Sequence, residues 1–163
     1  NRTEKKNTSQ YLDWHGSLGE LDFILKESDY LVLACDLNES TKGLINKRTL
    51  SIMKKTAYLI NVARGDVCVE EDLFNSLKNK NIAGAAIDTW WIYPDRPKDG
   101  GKPEKAPRPS SFPFHKLDNV IMTPHNSAHT LESDLRRSKS ILDNLLDFKK
   151  GKKPSGFVFY GNK

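Results

Sequence analysis

Four short apolar runs, separated by amphipathic stretches, set the pattern of this chain: residues 29–36, 58–63, 82–88 and 119–125. Each run is continuous rather than alternating, and ends at a polar or turn-forming residue. That reads as a strand buried on both faces of a parallel sheet. Between the runs the apolar period lengthens. Leu18, Leu21, Ile24 and Leu25, with acids at Glu20 and Asp22, predict a short helix ending near residues 27–28. Leu44, Ile45, Leu50, Ile52 and Met53 mark helical turns that end at Lys54 and Lys55, where cations favour a helix C-terminus. Residues 69–78 begin with Glu70, Glu71 and Asp72 and continue with Leu73, Phe74 and Leu77 at helical spacing, the charge order the macrodipole favours. Thr130 caps a last helix running to about Lys150, with Leu131, Leu135, Leu142 and Leu145 on one stripe and Gly151 as its stop.

Strands alternating with helices imply an α/β fold with a parallel sheet, and right-handed crossovers make it doubly wound and Rossmann-like. Residues 1–17 are polar and read as a connection. Gly84 and its flanking alanines let a helix or ligand come close to the third strand. Residues 93–115 hold six prolines, Gly100, Gly101 and several charges. They read as a surface excursion near the ligand cleft.

Composition narrows the classes. The chain has 163 residues, enough for one domain with a core or for part of a larger enzyme. Its net charge of +5 comes from lysines spread among 21 acidic residues, so no nucleic-acid partner is expected. Cys35 and Cys68 lack metal-ligand spacing and read as small buried hydrophobes rather than as a disulfide or a ligand pair, so no metal is expected and a cytoplasmic protein is. No run reaches the roughly 18 apolar residues of a membrane span, and the first residues hold no apolar signal core. The absence of an initial methionine reads as a fragment. His15, His115 and His129 read as surface residues, Trp90 and Trp91 as core or interface, and residues 157–160 as a last strand.

Arg64, Asp88 and His125 each follow an apolar run at what becomes a strand's carboxyl end, where open α/β sheets place ligands. Four stretches containing them occur in order: residues 28–33 leading to 41–45, then 53–65, 83–88 and 123–125. On these stretches the chain resembles the D-isomer-specific 2-hydroxyacid dehydrogenases over about residues 18–150. The resemblance implies the second half of a dinucleotide-binding domain, here a partial NAD(P)-binding domain over residues 1–150. Residues 151–163 then return the chain to a separate substrate domain. It also implies hydride transfer between NAD or NADP and a D-2-hydroxy acid/2-oxo acid pair, in a homodimer when complete. The alternative is a noncatalytic nucleotide-sensing or protein-binding relative of the same fold.

By the same resemblance, Arg64 binds the substrate's carboxylate and carbonyl with its planar fork, and His125 carries the proton. The family's third catalytic position, a glutamate in Asp-Val-Phe-x-x-Glu-Pro, is Tyr93 in the run from Asp88 to Pro94. A phenol can hydrogen-bond an imidazole, but without a charge it supports the imidazolium less than a carboxylate does. For the cofactor, the resemblance puts Cys35 in the adenosine pocket, and Val62, Ala63 and Arg64 along the nicotinamide ribose. Asp88 falls near the nicotinamide amide, with His125, Asn126, Ser127 and Ala128 beside the ring. Arg2 could meet a 2′-phosphate, which leans toward NADP. No Gly-x-Gly-x-x-Gly turn occurs in the sequence, so the pyrophosphate turn is expected upstream of Asn1, and the 163 residues alone are expected to be inactive.

Overall fold

The four apolar runs form β1 (Tyr30–Leu33), β2 (Tyr58–Asn61), β3 (Gly84–Ile87) and β4 (Val120–Met122) in a computed structural model that describes residues 11–94 and 108–155. Arg2 and residues 157–160 lie outside the described residues, as does most of the proline-rich stretch. All three strand pairings are parallel, and the spatial order β1-β2-β3-β4 follows the chain. Ile87 pairs with Met122 in the register of β3 and β4, which brings the residues following both strands to one end of the sheet.

The helices start where side chains can satisfy their first amide groups. α1 (Leu21–Glu27) continues from a 3-10 turn at Leu18–Glu20, and the Glu20 carboxylate accepts the Ser17 backbone N–H at 2.9 Å. α2 (Lys47–Ile52) is capped by Asn46, whose Oδ1 accepts the N–H groups of Arg48 and Thr49. α3 (Glu70–Lys78) carries its three acids in the first turn, as expected. α4 (Leu131–Lys149) is capped by Thr130, whose hydroxyl oxygen accepts the Ser133 N–H at 3.1 Å.

The chain divides into two compact units, Asn1–His125 and Asn126–Lys163. The first holds the sheet and α1 to α3. Its core joins Leu25, Leu50, Leu73 and Leu77 from the helices to Leu31, Leu33, Leu59 and Ile87 from the strands, so one helical layer covers one face of the sheet. The second unit holds α4, whose Leu131, Leu135, Leu142 and Leu145 are exposed.

Four expectations need correction. β1 is not buried on both faces: Leu31 and Leu33 are buried, but Tyr30 and Val32 are 69% and 54% exposed, because α1 to α3 all lie over the other side. β4 is likewise not buried on both faces: Ile121 and Met122 are exposed, and among the described residues it has a strand neighbour on one side only. The end of the proline-rich stretch is not all surface: Phe114 is buried, stacked on Trp91 at 5.4 Å and edge-on to Phe74 at 5.3 Å. Gly84 does admit close neighbours; a Cβ there would lie 2.6 Å from the Asn119 carbonyl and 3.0 Å from the Tyr58 ring. His115 and His129 are exposed as expected, whereas His15 is half-buried, with Nε2 lacking a hydrogen-bond partner among the described residues.

Candidate functional site

At the end of β2 the chain turns on one buried amide. The Asn61 side chain accepts the Ala63 N–H through Oδ1 at 3.1 Å and donates through Nδ2 to the Arg64 carbonyl at 3.0 Å. This pins a bend that stands Arg64 out from the sheet, exposed, with Nη1 donating to the Ala63 carbonyl at 2.6 Å. The next residue must be glycine. A Cβ on Gly65 would fall inside contact distance of the Trp90 carbonyl, so the Arg64 turn lies directly against the backbone that follows β3.

That backbone carries the second half of the site. Asp88 ends β3 almost fully buried, and its Oδ1 accepts the Thr123 hydroxyl at 2.5 Å. The Trp90 indole N–H donates to the Thr123 carbonyl at 2.9 Å, and the Trp90 backbone N–H donates to the Tyr93 hydroxyl oxygen at 2.9 Å. The same oxygen lies 3.0 Å from His125 Nδ1. With one lone pair taken by Trp90, the phenol meets a neutral imidazole by donating to Nδ1, which puts the ring proton on Nε2. It meets an imidazolium by accepting from Nδ1–H. His125 has φ +59°, in the left-handed region, a conformation that costs of order 1–3 kcal/mol outside glycine and persists where surrounding contacts over-determine it.

Two clefts open at this end of the sheet. One, of about 460 Å³, lies beyond β1 and β2 and is lined by Cys35, Val62, Ala63 and Arg64 together with Asp36. The other, of about 380 Å³, lies beyond β3 and β4 against Trp90, Tyr93 and His125. Four of the expected cofactor residues therefore share one cleft, and the tyrosine and histidine share the other. Asp88 lies at the strand end between them. Asn126, Ser127 and Ala128 belong to the second unit, where the Asn126 carbonyl accepts the His129 N–H at 2.9 Å and the Ala128 carbonyl accepts the Ser133 hydroxyl at 2.9 Å. Asn61, Thr123 and the backbone of Trp90 were not foreseen as supports. A polar residue closing an apolar strand was the available signal for Asn61.

The thiols differ. Cys68 is buried, and desolvation pushes its thiol well above the ordinary range, so it stays protonated. Cys35 is half-buried on the first cleft. Among the described residues no group of three or more His, Cys, Asp or Glu could hold a metal ion, and no helix is long and apolar enough to cross a membrane.

A parallel α/β sheet with polar side chains gathered at its carboxyl end beside two clefts defines a nucleotide-binding type of domain. The comparisons sharpen that class. Residues 1–127 match the model of the D-isomer specific 2-hydroxyacid dehydrogenase NAD binding domain, and the chain belongs to that family. It is 38% identical over 139 residues to a glyoxylate reductase of Thermofilum pendens, an overlap covering 85% of this chain and 37% of the relative. The NAD-complexed D-isomer specific 2-hydroxyacid dehydrogenase of Lactobacillus delbrueckii ssp. bulgaricus superposes with a TM-score of 0.68 at 31% identity, covering 85% of this chain and 42% of that one. A D-isomer specific 2-hydroxyacid dehydrogenase of Xanthobacter autotrophicus in complex with NADPH and MES gives 0.66 at 28% identity, over 88% and 53% of the two chains. The chain thus spans less than half the length of the curated relatives it matches.

The first cleft fits part of a dinucleotide. Its size falls in the range of small-molecule sites, and its walls are mostly small or apolar side chains with one carboxylate, Asp36, and one guanidinium, Arg64. It fits a nucleoside, whereas a Gly-x-Gly-x-x-Gly phosphate turn is absent from the sequence.

Proposed function

We propose that this chain is the cofactor-binding part of an NAD(P)-dependent enzyme that interconverts a 2-oxo acid and its D-2-hydroxy acid. The observation that carries the reading is the 3.0 Å contact between Tyr93 Oη and His125 Nδ1 at the ends of β3 and β4. It holds one ring nitrogen from behind and leaves Nε2 as the nitrogen for exchange with substrate. When bound, the cofactor supplies or accepts the hydride. Arg64 grips the carboxylate in a two-point contact that lysine could not reproduce. His125, as imidazolium, gives a proton from Nε2 to the oxygen that becomes the hydroxyl, and takes it back in oxidation. Cys35, Val62, Ala63 and Asp88 take the nucleotide; the family resemblance assigns Asn126, Ser127 and Ala128 to the nicotinamide, and Arg2 to NADP.

Association as a homodimer and a cytoplasmic location belong to the same proposal; the free thiols Cys35 and Cys68 support the location. The test uses the protein of the complete reading frame, mixed with NADH or NADPH and a panel of 2-oxo acids, and follows the absorbance of the reduced nicotinamide. Consumption is expected. The neutral Tyr93 in place of a carboxylate favours one competing reading, a noncatalytic nucleotide binder, which would give saturable cofactor affinity with no turnover of any acid.

A further inference from the structure

The cleft beyond β3 and β4 is chemically unlike the one beyond β1 and β2. Its wall beside His125 is made of Trp90, Ile92, Pro94, Pro109, Met122 and Pro124. The polar side chains that reach it are already engaged: the Thr123 hydroxyl donates to Asp88, and Tyr93 Oη is shared between the Trp90 N–H and His125 Nδ1. Among the described residues, the wall apart from the proton-carrying edge of His125 offers little to a polar group. A charged substituent would be desolvated there without a partner, while an apolar one would cover surface that is otherwise wet. The contact of Gly65 with the Trp90 carbonyl sets the Arg64 turn against the loop that forms this wall. The proposed function has one small acid reach both Arg64 and His125, and this wall adjoins His125.

The geometry points to this cleft as the pocket for the substrate's side chain, and to 2-oxo acids with a branched aliphatic or aromatic side chain as the substrate class. The inference rests on the reading given under Proposed function and goes further by separating this chain from relatives named for glyoxylate, which has no side chain to place here. With carboxylate on Arg64 and carbonyl oxygen at His125 Nε2, the substituent on the carbonyl carbon lies over Trp90 and Met122. The hydride and proton add across the same carbonyl as before, so the chemical step is unchanged. Only binding in the transition state differs between acids.

The complete protein is assayed with the reduced nicotinamide it accepts and four 2-oxo acids, bearing isobutyl, benzyl, carboxymethyl or no side chain. Expected is a kcat/KM for the isobutyl and benzyl acids at least about tenfold above glyoxylate, the scale on which hydrophobic pockets discriminate, with the carboxymethyl acid the poorest. Met122→Lys places a cation on the wall from an edge strand where the side chain is 38% exposed, and the isobutyl-to-carboxymethyl ratio should fall about tenfold or more. Because both rates come from one preparation, partial misfolding cancels in the ratio. Preference for glyoxylate or the carboxymethyl acid, or an unchanged ratio in Met122→Lys, overturns the pocket while leaving the dehydrogenase reading intact. If no acid turns over, the dehydrogenase reading fails, and binding decides the pocket. With nicotinamide present, the isobutyl 2-hydroxy acid should quench tryptophan fluorescence saturably and at lower concentration than glycolate; no saturable quenching overturns it.

Discussion

Replacing Tyr93 by phenylalanine deletes one oxygen that serves two partners. The Trp90 N–H, 2.9 Å away, loses its acceptor, and His125 Nδ1, 3.0 Å away, loses its neighbour. A buried donor left unpaired costs about 1–3 kcal/mol. Tyr93 itself is 46% exposed, so water can enter the vacated place and the lower end of that range applies, about 1 kcal/mol of stability. In urea this lowers the unfolding midpoint by roughly 0.5 M, for a slope of about 2 kcal/mol/M. The effect on rate comes from the histidine. Without the phenol, nothing described at Nδ1 selects the ring orientation, and loss of one hydrogen bond made in the transition state, about 1.4 kcal/mol, lowers kcat/KM about tenfold. Tyr93→Glu separates orientation from charge. A carboxylate restores the acceptor and adds a negative charge that favours the imidazolium, so reduction, which needs the protonated ring, should persist further toward alkaline pH than in the parent protein. The assay is the pH dependence of kcat/KM for reduction in parent, Tyr93→Phe and Tyr93→Glu. Superimposable curves for the parent and Tyr93→Glu would refute the role given to the phenol.

Other positions yield shorter expectations. Gly65→Ala forces a methyl group into the Trp90 carbonyl and should cost about 2 kcal/mol in denaturant unfolding, with loss of substrate affinity through Arg64; a variant as stable as the parent contradicts the close approach. Thiol titration of the native protein should find Cys35 reactive and Cys68 inert until unfolding, with NAD(P) slowing Cys35; two equally fast thiols refute the burial of Cys68. Hydrogen bonding to the Arg48 guanidinium holds the Asp22 carboxyl below the usual carboxylate range, so its contribution is present above that range and lost as pH falls through the lowered value. Asp22→Asn should therefore be slightly less stable than the parent at neutral pH, and the two should converge in acid. The difference is small, because both partners are exposed and water screens them; a gap that widens on acidification would reverse the sign of the argument.

Strands and helices were legible because each depends on neighbours in sequence: Leu31 and Leu33 in an apolar run, Asn46 before α2, three acids opening α3. Whether a run is covered on both faces is not a local property. Tyr30 and Val32 are as apolar as Leu31 and Leu33, and only the placement of α1 to α3 over one side distinguishes them. Phe112 and Phe114 were masked by the surrounding prolines, although aromatic residues in a polar stretch signal an anchor; Phe114 packs on Trp91 and Phe74. The strand-end positions of Arg64, Asp88 and His125 could be read from the runs they close. Their supports could not, since Asn61 works through backbone groups of Ala63 and Arg64 whose direction exists only once the bend has formed. Tyr93 and His125 are separated by 32 residues, and their meeting depends on the register that pairs Ile87 with Met122.

That register makes Trp90 the joint of the site. Its carbonyl excludes any side chain at residue 65, its backbone N–H holds the Tyr93 hydroxyl, and its indole N–H holds the Thr123 carbonyl two residues before His125. One residue therefore fixes the backbone beside Arg64 and the partner of His125 together, while its own side chain is 6% exposed and forms part of the apolar wall. Under the proposed function, Trp90 would act as a positioning residue that couples carboxylate binding to proton transfer, because displacement of its loop would move both the Arg64 turn and the partner of His125. It also explains how the site tolerates a tyrosine where its family carries a glutamate: the phenol sits in a hydrogen bond from the backbone rather than relying on charge, and its remaining capacity points at the imidazole. What is lost is the electrostatic support of the imidazolium. What remains is orientation, at a ring whose backbone is held in a left-handed conformation.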